Sequence, residues 1–187
     1  MKSCTSPKTR SAVAYFYFDF NDPEKQKLQN CLSSLIAQLC GLALAIPEKL
    51  KSMYNRCGRG NQTPSLNDLK DIMSYFATAS EFNDIFLILD ALDECPKDGN
   101  EDSRSELLEW IQEISNQLSF SVRLLVTSRP EPDIGKILCP PAFRSVSIQG
   151  SQVKSDISRY IQSQLSGFPI SMKPAIEKTL TDKADGM

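Results

Sequence analysis

Ile85-Phe86-Leu87-Ile88-Leu89-Asp90-Ala91-Leu92-Asp93-Glu94 is the stretch on which the fold turns. Five consecutive apolar residues that stop at an acid read as a parallel strand buried on both faces, because helices covering both sides of a sheet leave no polar side to show. Asp90 then sits at the strand's carboxyl end, where open α/β sheets bind ligands. Asp93 and Glu94 follow within a turn. Three carboxylates this close repel one another unless a cation is shared among them, and hydrated Mg2+ carrying a nucleotide phosphate is the usual such cation. An acid after a strand can equally cap the next loop or helix, so the D-x-x-D-E spacing alone leaves both possibilities open.

Downstream, Pro96 to Ser103 reads as a polar loop. A helix follows from about Ser103 to Leu118, with Leu107, Trp110, Ile111, Ile114 and Leu118 on one face. Val122-Arg123-Leu124-Leu125-Val126-Thr127 is a further strand, delivering Ser128-Arg129-Pro130 at its carboxyl end. Proline stops the strand, so Arg129 is expected at the same sheet edge as Asp90. Val146 and Ile148, alternating with Ser145 and Ser147, predict a short edge strand with the two aliphatic residues inward. A helix starts near Ser155 and carries Ile157, Tyr160, Ile161 and Leu165 as its apolar face. Lys173 to Ala184 predicts a last helix.

Upstream, the aromatic run Ala12-Val13-Ala14-Tyr15-Phe16-Tyr17-Phe18 predicts a second buried strand. Asp22-Pro23 marks a helix start, an acid able to cap followed by a proline where no N–H is needed. Leu28, Cys31, Leu32, Leu35, Ile36 and Leu39 recur at helical spacing until Gly41 weakens the pattern and Pro47 ends it. A shorter helix covers Glu48 to Arg56, and Cys57 to Pro64 is a loop. Ser65 with Asp68 three residues on approximates a capping box, opening a helix whose inner face is Leu66, Leu69, Ile72, Met73 and Phe76.

Length and composition narrow the function. The 187 residues suit one α/β domain, and 41% apolar with 24% charged residues is ordinary for a globular chain. A net charge of −2 gives no electrostatic case for nucleic acid. No run approaches the ~18 apolar residues of a membrane span. Six cysteines without a C-x-x-C pair, and no histidine at all, lack zinc-ligand spacing and exclude serine-triad and Cys-His chemistry, both of which need an imidazole. The cysteines read as reduced cytoplasmic thiols. A haloacid-dehalogenase-like phosphatase would want Asp-x-Asp directly after the strand, and in Asp90-Ala91-Leu92-Asp93 the second acid comes one place too late.

The ordered pair Ile85 to Glu94, then Val126-Thr127-Ser128-Arg129-Pro130, resembles the Walker B and sensor 1 segments of NACHT-type STAND nucleoside triphosphatases. It is closest to the nephrocystin-like N-terminal domains of fungal NOD-like receptor proteins. The Tyr15-Phe16-Tyr17-Phe18-Asp19 strand with its helix, and Lys183-Ala184-Asp185-Gly186-Met187, are similar to further segments of that family, so the likeness covers nearly the whole chain. It implies a signal-transduction domain with Mg2+ and ATP or GTP as cofactors. Asp90 would hold the metal through water, Asp93 or Glu94 would orient the attacking water as the catalytic acids, and Ser128 and Arg129 would meet the nucleotide, Arg129 sensing the γ-phosphate. Ala91 stands where other branches often have glycine.

The resemblance departs at the amino end. A P-loop needs Gly-x-x-x-x-Gly-Lys-Ser/Thr, and neither the Cys57–Pro64 loop nor Lys8-Thr9 supplies it. The expected fold is therefore α/β, a three-layer P-loop NTPase-like parallel sheet that is incomplete, its first strand and Walker A loop missing. Residues 1–11 read as a polar lead and 12–187 as a partial NACHT domain, truncated at both ends. With the family's 5-1-4-3-2 strand order, the Phe16, Ile88 and Leu125 strands should still pair contiguously, leaving the sheet ragged beyond the Leu125 strand. Such a fragment is expected not to bind or hydrolyse nucleotide alone, and to act by packing against a full-length relative or a second copy. The alternative is an active module whose P-loop comes from missing upstream sequence.

Overall fold

The computed structural model describes residues 10–78, 82–97, 103–117, 122–138, 143–148 and 151–184. The chain divides into two compact units, 1–142 and 143–187.

The first unit is built on three strands, β1 (Ser11–Tyr17), β2 (Asp84–Asp90) and β3 (Val122–Val126), all parallel and in the order β1-β2-β3. Tyr17 pairs with Asp90, and Leu89 with Val126, so the three carboxyl ends line up along one edge. The first crossover carries α1 (Leu28–Leu42), α2 (Glu48–Arg56) and α3 (Leu66–Thr78). The second carries α4 (Ser103–Gln117). A short α5 (Pro132–Ile137) follows β3.

Local chemistry sets the helix boundaries close to the expected places. Asp22 accepts a hydrogen bond from the Glu24 N–H at 3.0 Å, but the turn it caps is a 3-10 turn, Pro23–Gln26, and α1 begins only after an extended Lys27. The capping box of α3 is made in both directions, Asp68 N–H to Ser65 Oγ at 3.2 Å and Ser65 N–H to Asp68 Oδ2 at 3.3 Å. Of the inner face assigned to α3, Leu69, Ile72, Met73 and Phe76 are buried, and Leu66 is half-buried. In α4, Leu107, Trp110, Ile111 and Ile114 are buried, while Leu118 lies outside the described residues.

Two expectations are corrected. β1 and β2 are not buried on both faces. Ala12, Ala14, Ile85, Leu87 and Leu89 are buried, whereas Val13, Tyr17, Phe86 and Leu125 are exposed and Tyr15 retains 48% of its surface. The cause is topological. Strands added in sequential order by right-handed crossovers place every connecting helix on the same side of the sheet. The packing agrees, with α1 on β1 and α1, α3 and α4 against one another. Within this unit the sheet therefore has two layers, not three. Its β1 edge is closed by Gln38 of α1, whose amide accepts from the Tyr15 N–H at 3.1 Å and donates to the Tyr15 carbonyl at 2.8 Å, mimicking a strand. β3 has only β2 as a strand neighbour among the described residues, as expected of a sheet ragged on that side.

The second correction is in the other unit. Residues 143–148 form no strand, and Val146 and Ile148 are 84% and 72% exposed, not inward. Alternation of polarity cannot hold a strand without a ladder partner for its backbone groups. The unit otherwise consists of α6 (Ser151–Gln164), a 3-10 turn at Leu165–Gly167, and α7 (Lys173–Ala184), with α6 packed on α7. α6 begins a turn earlier than Ser155. It buries Ile161, and Leu165 follows buried in the 3-10 turn, while Tyr160 points to solvent. No helix among the described residues is long and apolar enough to cross a membrane.

Candidate functional site

Because β2 and β3 are parallel neighbours, the chain leaving each arrives at the same edge, and Asp90, Asp93, Glu94, Ser128 and Arg129 all gather there. After Asp90 the backbone turns through Ala91 at φ 57° and ψ 50°, the left-handed region that disfavours a Cβ. The turn is held from β3: the Ala91 N–H donates to Thr127 Oγ1 at 2.9 Å, and the Leu92 N–H to the Thr127 carbonyl at 3.0 Å. A 3-10 turn, Leu92–Glu94, then carries the second and third acids.

The three carboxylates do not share one cage. Asp90 Oδ1 accepts from Thr127 Oγ1 at 2.5 Å. Asp93 Oδ1 accepts the Arg129 backbone N–H at 3.0 Å, and its Oδ2 lies 3.6 Å from Arg129 Nε. Glu94 Oε2 accepts the Phe20 N–H at 3.1 Å, tying the turn to the loop after β1. Their mutual repulsion is relieved by protein partners rather than by a common ion, and no group of three metal-ligating side chains converges among the described residues. The donor set still fits Mg2+, which takes one or two carboxylates and fills its remaining positions with water. Asp90 is half-buried, its orientation is fixed through Oδ1, and its Oδ2 has no partner among the described residues. Ser128 Oγ turns back to the Arg129 carbonyl at 2.7 Å, leaving the exposed guanidinium as the cation at this edge.

A family model described as "Nephrocystin 3, N-terminal" matches residues 2–129, from before β1 to Arg129. The chain belongs to the nephrocystin 3 N-terminal family. Comparisons with curated proteins and with solved structures returned no match. The nephrocystin 3 N-terminal match thus contains every candidate site residue, and it ends before α5 and the second unit.

Two residues of this nephrocystin 3 N-terminal segment escaped the sequence reading. Thr127 is the hinge between Asp90 and Ala91, and its place directly opposite the strand-ending acid is a matter of register, which sequence alone does not set. Arg104 is buried in α4, only 7% exposed. Its Nε donates to the Cys95 carbonyl at 2.7 Å, and its Nη2 donates to the Asp93 carbonyl. Nη1 faces Asp133 Oδ2 at 3.5 Å and Glu131 Oε2 at 4.0 Å, at the start of α5. Arg104 therefore clamps the acidic turn to the segment that follows β3. A signal for it was present: Arg104 stands three residues before Leu107 and seven before Ile111, on the inward stripe of the helix. Burial pushes the Asp133 carboxyl up, but its own backbone N–H, Lys97 and Arg104 reverse this and hold it below the usual carboxylate range. Beside the turn, Cys31 and Cys95 are buried reduced thiols, and burial, with Cys95 nearby, pushes the Cys31 thiol well above its ordinary range.

Proposed function

We propose that the edge formed by β2 and β3 is the metal and phosphate side of an ATP or GTP site, in a NACHT-type STAND domain of the kind found in cytoplasmic fungal NOD-like receptors. Asp90 is the Walker B acid and holds hydrated Mg2+. Asp93 or Glu94 orients the attacking water, and Ser128 and Arg129 meet the phosphates. The observation that carries this is the meeting of a pre-oriented carboxylate, Asp90, with an exposed guanidinium, Arg129, at the carboxyl edge of a parallel sheet. Phosphoryl-transfer sites need little more than positioned cations and oxygens, and a guanidinium fork suits phosphate oxygens in two-point contact.

The 187 residues contain no Gly-x-x-x-x-Gly-Lys-Ser/Thr. Any phosphate loop acting with this edge comes from outside them, and weak, millimolar nucleotide binding is expected of the chain by itself. The test is paramagnetic broadening by Mn-ATP. Signals of Ala91 to Glu94 and Thr127 to Arg129 should broaden, and Asp90→Asn should abolish the effect. Broadening elsewhere, or broadening indifferent to Asp90, would refute the assignment.

A second reading, a non-catalytic packing module that associates with a full-length relative or another copy, draws on the exposed apolar face of Val13, Tyr17, Phe86 and Leu125. Calorimetry with Mg-ATP and Mg-GTP separates the alternatives, since micromolar affinity would show that this chain suffices as a nucleotide module.

A further inference from the structure

Asp93 and Arg129 form an unequal pair. The Asp93 side chain is 11% exposed and that of Arg129 70%. Asp93 is held by two bonds that do not involve the guanidinium: its carbonyl accepts from Arg104 Nη2, and its Oδ1 accepts the Arg129 backbone N–H at 3.0 Å. The remaining oxygen, Oδ2, faces Arg129 Nε at 3.6 Å, and the guanidinium has no other partner among the described residues. The carboxylate is thus a fixed anion and the guanidinium its replaceable cover.

We propose that this pair is a latch that an arriving phosphate group opens, an inference resting on the assignment of Arg129 to the phosphate side of the site. A guanidinium grips an oxyanion best through two parallel N–H groups, and the Nε edge, one of the edges able to do so, is turned to Asp93. A phosphate that takes this edge displaces Oδ2. Asp93 then keeps its backbone bond and its position but loses its neutralising cation, and Oδ2 becomes free to accept a proton donor such as water. Phosphate capture by one strand tip is so coupled to exposure of a carboxylate on the other. The coupling is modest, because an ion pair with one exposed member contributes little in water; removing the competing charge should strengthen phosphate binding about fivefold.

The experiment uses the full chain, labelled with 15N, and inorganic tripolyphosphate without metal. It follows the Arg129 Nε–H signal by NMR. In the wild type, tripolyphosphate should move that signal while the Arg129 backbone amide stays nearly in place, since its bond to Oδ1 persists. Asp93→Asn keeps an oxygen for that backbone N–H and removes only the charge, so its titration midpoint should fall about fivefold. Equal midpoints in the two proteins would overturn the latch and leave the nucleotide assignment intact, because Mn-ATP broadening around Asp90 reports on that separately. An Arg129 Nε–H signal that ignores millimolar tripolyphosphate in both proteins would overturn the latch and the role given to Arg129. The wild-type titration needs no substitution, so a folding defect in Asp93→Asn cannot shelter the proposal.

Discussion

Replacing Ala91 by glycine should do the opposite of what alanine-to-glycine changes ordinarily do. Ala91 has φ 57°, and a left-handed backbone costs a residue with a Cβ about 1–2 kcal/mol. Glycine removes that strain and keeps the N–H that donates to Thr127 Oγ1. Against this stands the greater freedom of the unfolded glycine chain, about 0.4–1 kcal/mol. A half-buried methyl is also lost, about 0.4 kcal/mol at half of a fully buried one. The balance lies between about zero and a gain of 1 kcal/mol. The reference is Ala37→Gly, at an exposed position inside α1, where the same change should cost about 1 kcal/mol. Urea unfolding followed by the fluorescence of Trp110, the only tryptophan and buried in the same unit, gives both numbers on one scale. A separation of roughly 1 kcal/mol or more between the two variants is expected. Equal destabilisation by both would refute the left-handed conformation at residue 91, and with it the turn that presents Asp93.

Other substitutions probe the rest of the edge. Arg104→Met should lower the stability of the first unit by about 3 kcal/mol, since the carbonyls of Asp93 and Cys95 lose their donor and Asp133 its cation; Arg104→Lys should recover little, because an ammonium cannot fork, and a urea midpoint within error of wild type for Arg104→Met would contradict the clamp. Thr127→Val leaves the Ala91 N–H and the Asp90 carboxylate without a partner and should cost about 1–3 kcal/mol, whereas Thr127→Ser should lie near the wild type in the same unfolding assay. The Ser65 hydroxyl, helped by Arg56, outweighs desolvation and holds the Asp68 carboxyl below its ordinary value. A depressed carboxylate contributes stability above its unfolded value and loses it as pH falls through the folded one; an NMR titration should therefore place the Asp68 midpoint below the usual carboxylate range and return it upward in Ser65→Ala. Cys31, buried with its thiol pushed up, should resist a thiol reagent at mildly alkaline pH in the folded chain and react only on unfolding, as read by the absorbance of the released chromophore.

The sequence by itself determined the elements and the direction of the sheet. Five apolar residues ending at Asp90, and another apolar run ending at Thr127, could only be strands whose carboxyl ends share an edge once helices intervene, because parallel strands require crossovers. It determined the α3 cap as well, since Ser65 and Asp68 are local in the chain. The tertiary structure decided what depends on long-range placement. Whether a strand is covered on one face or two follows from the order in which strands join the sheet, and Val13 and Tyr17 read the same in sequence either way. Whether Val146 and Ile148 make a strand depends on finding a partner edge, which no alternation of residues supplies. Three adjacent acids looked like one cation site. They separated because Thr127, Arg129 and Phe20, each far away in sequence, brought each carboxylate its own hydrogen-bond donor. Charge repulsion is local and legible from spacing, but its relief comes from whatever the fold carries alongside.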